Sequence, residues 1–130
     1  MIQDQDVIPL LLNASPSFKD KLEQHYKDWG EITSLYLVAG DFARHIIDLH
    51  KGNHAGELSG IFDFFEKLHT DGDEHVRKIA TIGFLEALQN NALGQGIDLK
   101  IFETYLKPET KVWWDKLNDF WTGTSSEKEK

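Results

Sequence analysis

The chain has 130 residues, a net charge of −8 and no cysteine. That length is one domain's worth and can bury a core without cross-links, while the missing cysteine excludes a disulfide framework, a thiolate zinc site and a cysteine nucleophile. The charge is uneven, with 14 acids against 6 bases over residues 1–75 and 8 of each over residues 76–130. An acidic N-terminal part repels phosphate, which argues against nucleic acid or an anionic membrane as partner; a basic protein would be attracted to it, and simple solubility is the plainer reading of the charge. No stretch approaches the roughly 18 apolar residues of a membrane helix. The opening Met1-Ile2-Gln3-Asp4-Gln5-Asp6 lacks the basic start of a secretory signal, so a cytoplasmic protein is expected.

Six to seven helices and no strand are predicted. A short helix through Asp6 to Leu12 carries Pro9, which a first turn would tolerate. Ser15-Pro16 opens a second helix by the cap-then-proline signature, with Phe18, Leu22 and Tyr26 on one side and Gly30 as its stop. In the third, Ile32, Leu35, Ala39, Phe42, Ile46 and Leu49 form one apolar stripe, opposite Asp41, Arg44, Asp48 and Lys51. The fourth spans about Ala55 to Thr70, with Leu58, Ile61, Phe62, Phe65 and Leu68 inward. Asp71-Gly72-Asp73 turns the chain into a fifth helix over about Glu74 to Asn91, capped by Asp73.

That fifth helix is apolar nearly all round, through Val76, Ile79, Ala80, Ile82, Phe84, Leu85 and Ala87, which places it centrally. Gly94-Gln95-Gly96 breaks it, a short helix carries Ile101, Phe102 and Tyr105, and Pro108 opens the last helix, which ends near Trp121. The expected fold is all-α: an irregular bundle or short stack of antiparallel helical hairpins over residues 1–122, followed by a polar 123–130 tail expected to be disordered.

The motifs of chemistry are weak. His50 and His54 are separated by Gly52, which breaks the helix a shared ligand face needs. Glu66 and His69 have the spacing of a di-iron bundle, but only one such motif occurs where two are required. Asp41 and His45 share a helix edge, where a carboxylate could orient an imidazole. No nucleophile elbow or phosphate-binding glycine loop is present, so no catalytic residue, metal ligand or cofactor is expected. Arg77 is expected near the inward face of the fifth helix, paired with Asp73. The last helix packs Trp113, Trp114, Phe120 and Trp121 into nine residues, more aromatic surface than one face can bury; Trp114 and Trp121 flank the stripe of Trp113, Leu117 and Phe120 and read either as part of a lid helix packed on the core or as interface anchors.

Three segments carry a family resemblance. They are Gly40-Asp41-Phe42-Ala43-Arg44-His45-Ile46-Ile47-Asp48-Leu49, the run from Leu68 through Arg77 and Ile79 to Asn90, and the ending from Pro108 to Trp114 with Phe120-Trp121. Together they resemble a family of small helical bacterial proteins that includes immunity proteins of polymorphic toxin and contact-dependent growth inhibition systems. The resemblance covers most of residues 10–122. It implies a cytoplasmic helical antidote that binds one toxin domain and supplies no catalytic residues. The shared motifs could equally be fold-forming, with toxin contacts at positions peculiar to each pair.

The leading expectation is therefore an immunity protein that holds a cognate, basic toxin through a stoichiometric interface. Asp41, Asp48, Glu57, Asp63 and Glu66 are the candidates for charge, and Trp113, Trp114 and Trp121 for aromatic anchoring. The alternative is a helical adaptor or regulatory scaffold with an unrelated partner, and a third reading is a metal-binding or enzymatic bundle.

Overall fold

The computed structural model describes residues 1–31, 33–52 and 54–122. These form seven helices: α1 (Asp4–Ala14), α2 (Lys19–Trp29), α3 (Leu35–Lys51), α4 (Leu58–Asp71), α5 (residues 74–94), α6 (Lys100–Glu103) and α7 (Pro108–Thr122). The expected all-α bundle is the fold found. Ile32 and the 123–130 tail lie outside the described residues.

Helix α3 starts where Ser34 accepts a hydrogen bond from the Tyr36 N–H at 3.1 Å, one of the donors a helix start leaves open. It buries far more than one stripe: Val38, Ala39, Phe42, Ala43, His45, Ile46, Ile47 and Leu49. Helix α3 thus shares the centre of the bundle with α5, along which it packs. The expected α4–α5 hairpin is present, and Asp73 caps α5 by accepting from the Val76 N–H at 2.8 Å.

Two details of the first hairpins differ from the sequence reading. Pro9 sits in the interior of α1, not its first turn. It is tolerated on the exposed side of the helix, where water can take up the carbonyl that its missing N–H leaves free. Ser15 does not cap the next helix through its side chain; its hydroxyl donates to Glu57 Oε1 at 2.6 Å.

The N-terminus is tied down. The Ile2 N–H donates to the Asp71 carbonyl at 2.8 Å, and the Ile2 carbonyl accepts from the Asp73 N–H at 2.9 Å. This single parallel bridge clasps the α4–α5 turn. Gly72 at its centre has no room for a side chain, since a Cβ there would press on the Leu68 carbonyl and the Val76 side chain.

The core is aromatic. Phe42 meets Phe18, Phe84 and Phe65 edge-on, with centroids 5.0, 5.8 and 6.3 Å away. Phe62 links this group, through Phe65 at 5.2 Å, to Phe102 and Trp114. Each buried ring contributes about 1.5–3 kcal/mol by leaving water, and edge-to-face pairing adds about 0.5–1.5 kcal/mol. Helices α6 and α7 are thereby fastened to α4.

Helix α5 is one continuous element with three parts: α-helical Glu74–Lys78, π-helical Ile79–Leu85 and α-helical Glu86–Gly94. The π stretch is a feature the residue pattern did not suggest. Within it Ile79, Ala80, Thr81, Gly83, Phe84 and Leu85 are buried, while Ile82 is 51% exposed. Gly83 lies against α3, where an added Cβ would stand 3.4 Å from the Tyr36 ring and 3.5 Å from Ala39.

Candidate interaction surface

Helices α5 and α7 leave a mainly apolar cleft of about 380 Å³ between them. His69 and Thr81 lie at its base, Ile82 and Trp113 form its apolar walls, and Glu74, Arg77, Lys78 and Glu109 surround it. The base is rigid because it is hydrogen-bonded throughout. His69 Nδ1–H donates to the Phe65 carbonyl at 2.8 Å, which leaves Nε2 to accept from the Thr81 hydroxyl at 2.9 Å. Burial holds the His69 imidazole below its ordinary pKa, outweighing the opposite pull of the Phe65 carbonyl and Glu66.

Glu66 anchors the other wall. Its carboxylate accepts from the Glu109 N–H at 3.2 Å and from the N–H and hydroxyl of Thr110, both at 2.8 Å. A side chain of α4 thereby satisfies the open donors at the start of α7. Partial burial alone would raise the Glu66 pKa; these hydrogen bonds outweigh it and hold the carboxyl below its usual range.

Ile82 is common to this cleft and to a second, shallower groove that Tyr36, Gly83, Glu86, Ala87 and Asn90 line. Tyr36, Ile82 and Trp113 are 41%, 51% and 36% exposed. They make an apolar strip that runs across the outward crest of the π stretch. Tyr36 and Ile82 were missed from the sequence: Tyr36 falls outside the apolar stripe of its helix, and Ile82 lies on a helix that reads as apolar nearly all round.

The expected charge residues are engaged inside the chain. Asp41 bonds to His25 and Arg44, Asp48 to Lys21 at 3.0 Å, and Asp63 to Lys107 at 3.5 Å. Glu57 accepts from Ser15 and Ser17; partial burial would raise its pKa, and these bonds outweigh that and lower it. Glu57 and Glu66 thus hold parts of the fold together while staying half-buried. Trp114 is 1% exposed, walled by Phe62 and Phe102, so it is a core residue and unavailable as an anchor. Trp113 and Trp121 do reach the surface.

Arg77 is exposed and makes no ion pair among the described residues; Asp73 turns to the Val76 N–H instead. Asp41 orients His25, a buried residue of α2, rather than His45. His45 is buried on α3, with Nε2 2.9 Å from Ser17 Oγ. His45 Nδ1 has no partner among the described residues. Burial, and then the Lys21 charge, lower the His45 pKa.

A family model described as a domain of unknown function, DUF7674, matches residues 8–122. The chain belongs to the DUF7674 family. No curated protein and no solved structure matches it. The family match runs from within α1 to the end of α7 and includes all three residues of the apolar strip. No helix among the described residues is long and apolar enough to cross a membrane.

Proposed function

We propose that this DUF7674 protein works by binding another protein without turnover, as an immunity protein that neutralises a bacterial toxin domain. The observation that carries the reading is the strip Tyr36–Ile82–Trp113, in which Ile82 stands half exposed on a π stretch otherwise buried. A large apolar side chain held outward by a rigid helix suits a partner's pocket, and its ordering cost is already met within the fold. The resemblance of residues 10–122 to immunity proteins names the kind of partner. Acids without an ion pair among the described residues, Asp20, Glu23 and Glu31 on and just after α2, would steer a basic toxin toward the protein.

The test is a pull-down from the native strain, with the tagged protein as bait and its Ile82→Glu variant as control. Recovery of a C-terminal toxin fragment at near-equal stoichiometry, lost with the variant, is the expected outcome. Recovery of housekeeping proteins in its place would sink the immunity reading and favour an adaptor.

A further inference from the structure

Along α5 the α5–α7 cleft passes from Glu74 through Arg77 and Lys78 to Thr81 and Ile82, and along α7 from Glu109 to Trp113. The two helices run in the same direction. The His69 ring lies between Thr81 Oγ, 2.9 Å from its Nε2, and Thr110 Oγ, 3.3 Å from its Nδ1. Further along both helices, Gln89 donates to the Trp114 carbonyl at 3.1 Å. The four charged side chains therefore gather toward one end of the cleft, and Ile82 and Trp113 toward the other. Lys116, which lies over the Trp113 ring, does not line the cleft.

The charges at the polar end are not satisfied within the chain. Glu74, Arg77, Lys78 and Glu109 form no side-chain hydrogen bond or ion pair among the described residues, so two charges of each sign stand around the opening without meeting. The base adds a one-sided polar group. Thr81 gives its hydroxyl proton to His69, which leaves only oxygen lone pairs to accept from a ligand N–H.

This arrangement selects among occupants. A simple anion would meet Glu74 and Glu109, a simple cation would meet Arg77 and Lys78, and a neutral apolar molecule would leave all four charges unpaired. A small head group that carries both signs complements all of them. Arg77 suits its carboxylate through two parallel N–H bonds, and Glu109 with Thr81 Oγ suits its ammonium. A residue inside a peptide chain has no such head group.

We propose that the α5–α7 cleft binds a free α-amino acid with an apolar side chain of aromatic size. Arg77, Lys78, Glu74 and Glu109 hold its head group, and its side chain lies between Ile82 and Trp113. The volume of about 380 Å³ is that of a small-ligand site. The inference rests on the groups of the cleft and not on the toxin reading. It bears on that reading, because a bound amino acid covers Ile82 and Trp113 and competes with a partner for them.

Fluorine NMR of para-fluoro-L-phenylalanine titrated with the purified chain tests it. The expected result is line broadening that fits one site, with a Kd of about 0.1–1 mM for a ligand this small. Two analogues each lack one charge: para-fluorophenylacetate has no ammonium, and para-fluorophenethylamine has no carboxylate. Each is expected to bind at least about tenfold more weakly. The Arg77→Gln/Lys78→Gln and Glu109→Gln variants alter exposed side chains and break no hydrogen bond or ion pair among the described residues. Both are expected to keep the circular dichroism of the parent and to lose about tenfold in affinity for the amino acid. Absence of broadening at millimolar ligand overturns the proposal. Equal affinity for all three compounds, the mark of a merely apolar slot, overturns it as well, and so does unchanged amino-acid affinity in both charge variants. No toxin domain takes part in these measurements, so their failure leaves the pull-down result standing.

Discussion

Glu66 and Thr110 are 44 residues apart in the chain, yet one carboxylate oxygen of Glu66 accepts both the N–H and the hydroxyl of Thr110 at 2.8 Å. This joint fastens α7 to α4 at its first turn. Charge-assisted hydrogen bonds to a partly buried helix start are worth more than neutral ones. Glu66→Ala is expected to cost about 1–3 kcal/mol of stability, measured by urea unfolding. Asp63→Ala, which loses only an exposed pair at 3.5 Å, is expected to stay within about 0.5 kcal/mol of the parent. Equal losses from the two would remove the capping role.

Stability is expected to fall on acidification in two windows. His45 and His69 have folded pKa values below 6.5, so the unfolded chain binds protons more readily. Their contribution is complete above pH 6.5 and is lost as pH falls through the folded values. Glu57 and Glu66, lowered from 4.5, add a second loss below pH 4.5 by the same sign. Urea midpoints measured from pH 7.5 to 3.5 would show both. A His45→Asn/His69→Gln double variant should flatten the upper window alone, and a slope unchanged by it would contradict the assignment.

Neighbouring tryptophans on α7 should behave oppositely. Trp114→Ala opens a cavity among Phe62 and Phe102 and is expected to cost about 3–5 kcal/mol. Trp113→Ala, at a residue 36% exposed and covered by Lys116, whose ammonium lies 4.5 Å from the ring centroid, is expected to cost less than about 1.5 kcal/mol. Under the proposed partner-binding function, affinity is expected to reverse the order among folded variants, with Trp113→Ala the one that loses binding in a pull-down.

Gly72→Ala is expected to destabilise the protein by about 1–3 kcal/mol, because the new methyl meets the Leu68 carbonyl and Val76. The amide of Asp73, bonded to the Ile2 carbonyl, should exchange faster with solvent in this variant. Unaltered exchange there would show that the turn relaxes without releasing Ile2.

The parts of the fold that could be read from the residues are those set by local rules. The stripe of α4, the Asp73 cap and the Gly30 and Gly96 stops need only helical period and backbone geometry. Trp113 and Trp114 show where such reading ends. Adjacent helical residues point about 100° apart, and period alone does not say which of the two directions faces the body. Glu66 and Glu57 looked like surface charge because their partners, Thr110 and Ser15, are distant in sequence. His25 was overlooked since its partner Asp41 lies on the next helix. The outward turn of Ile82 belongs to the π stretch, which leaves no mark in an apolar run.

That stretch also bears on how the family's sequences are compared. A π segment holds more residues per turn than the α-helix around it, so Ile79–Leu85 behaves as a lengthening hidden inside an unbroken helix. A relative without it would lack one residue in the middle of α5 and still keep both ends of that helix on their neighbours. The gap in the alignment then belongs within residues 79–85 rather than in the loop after Gly94. Placed in the loop, it would shift every position between, and set the counterparts of Phe84 and Leu88 against solvent instead of the core.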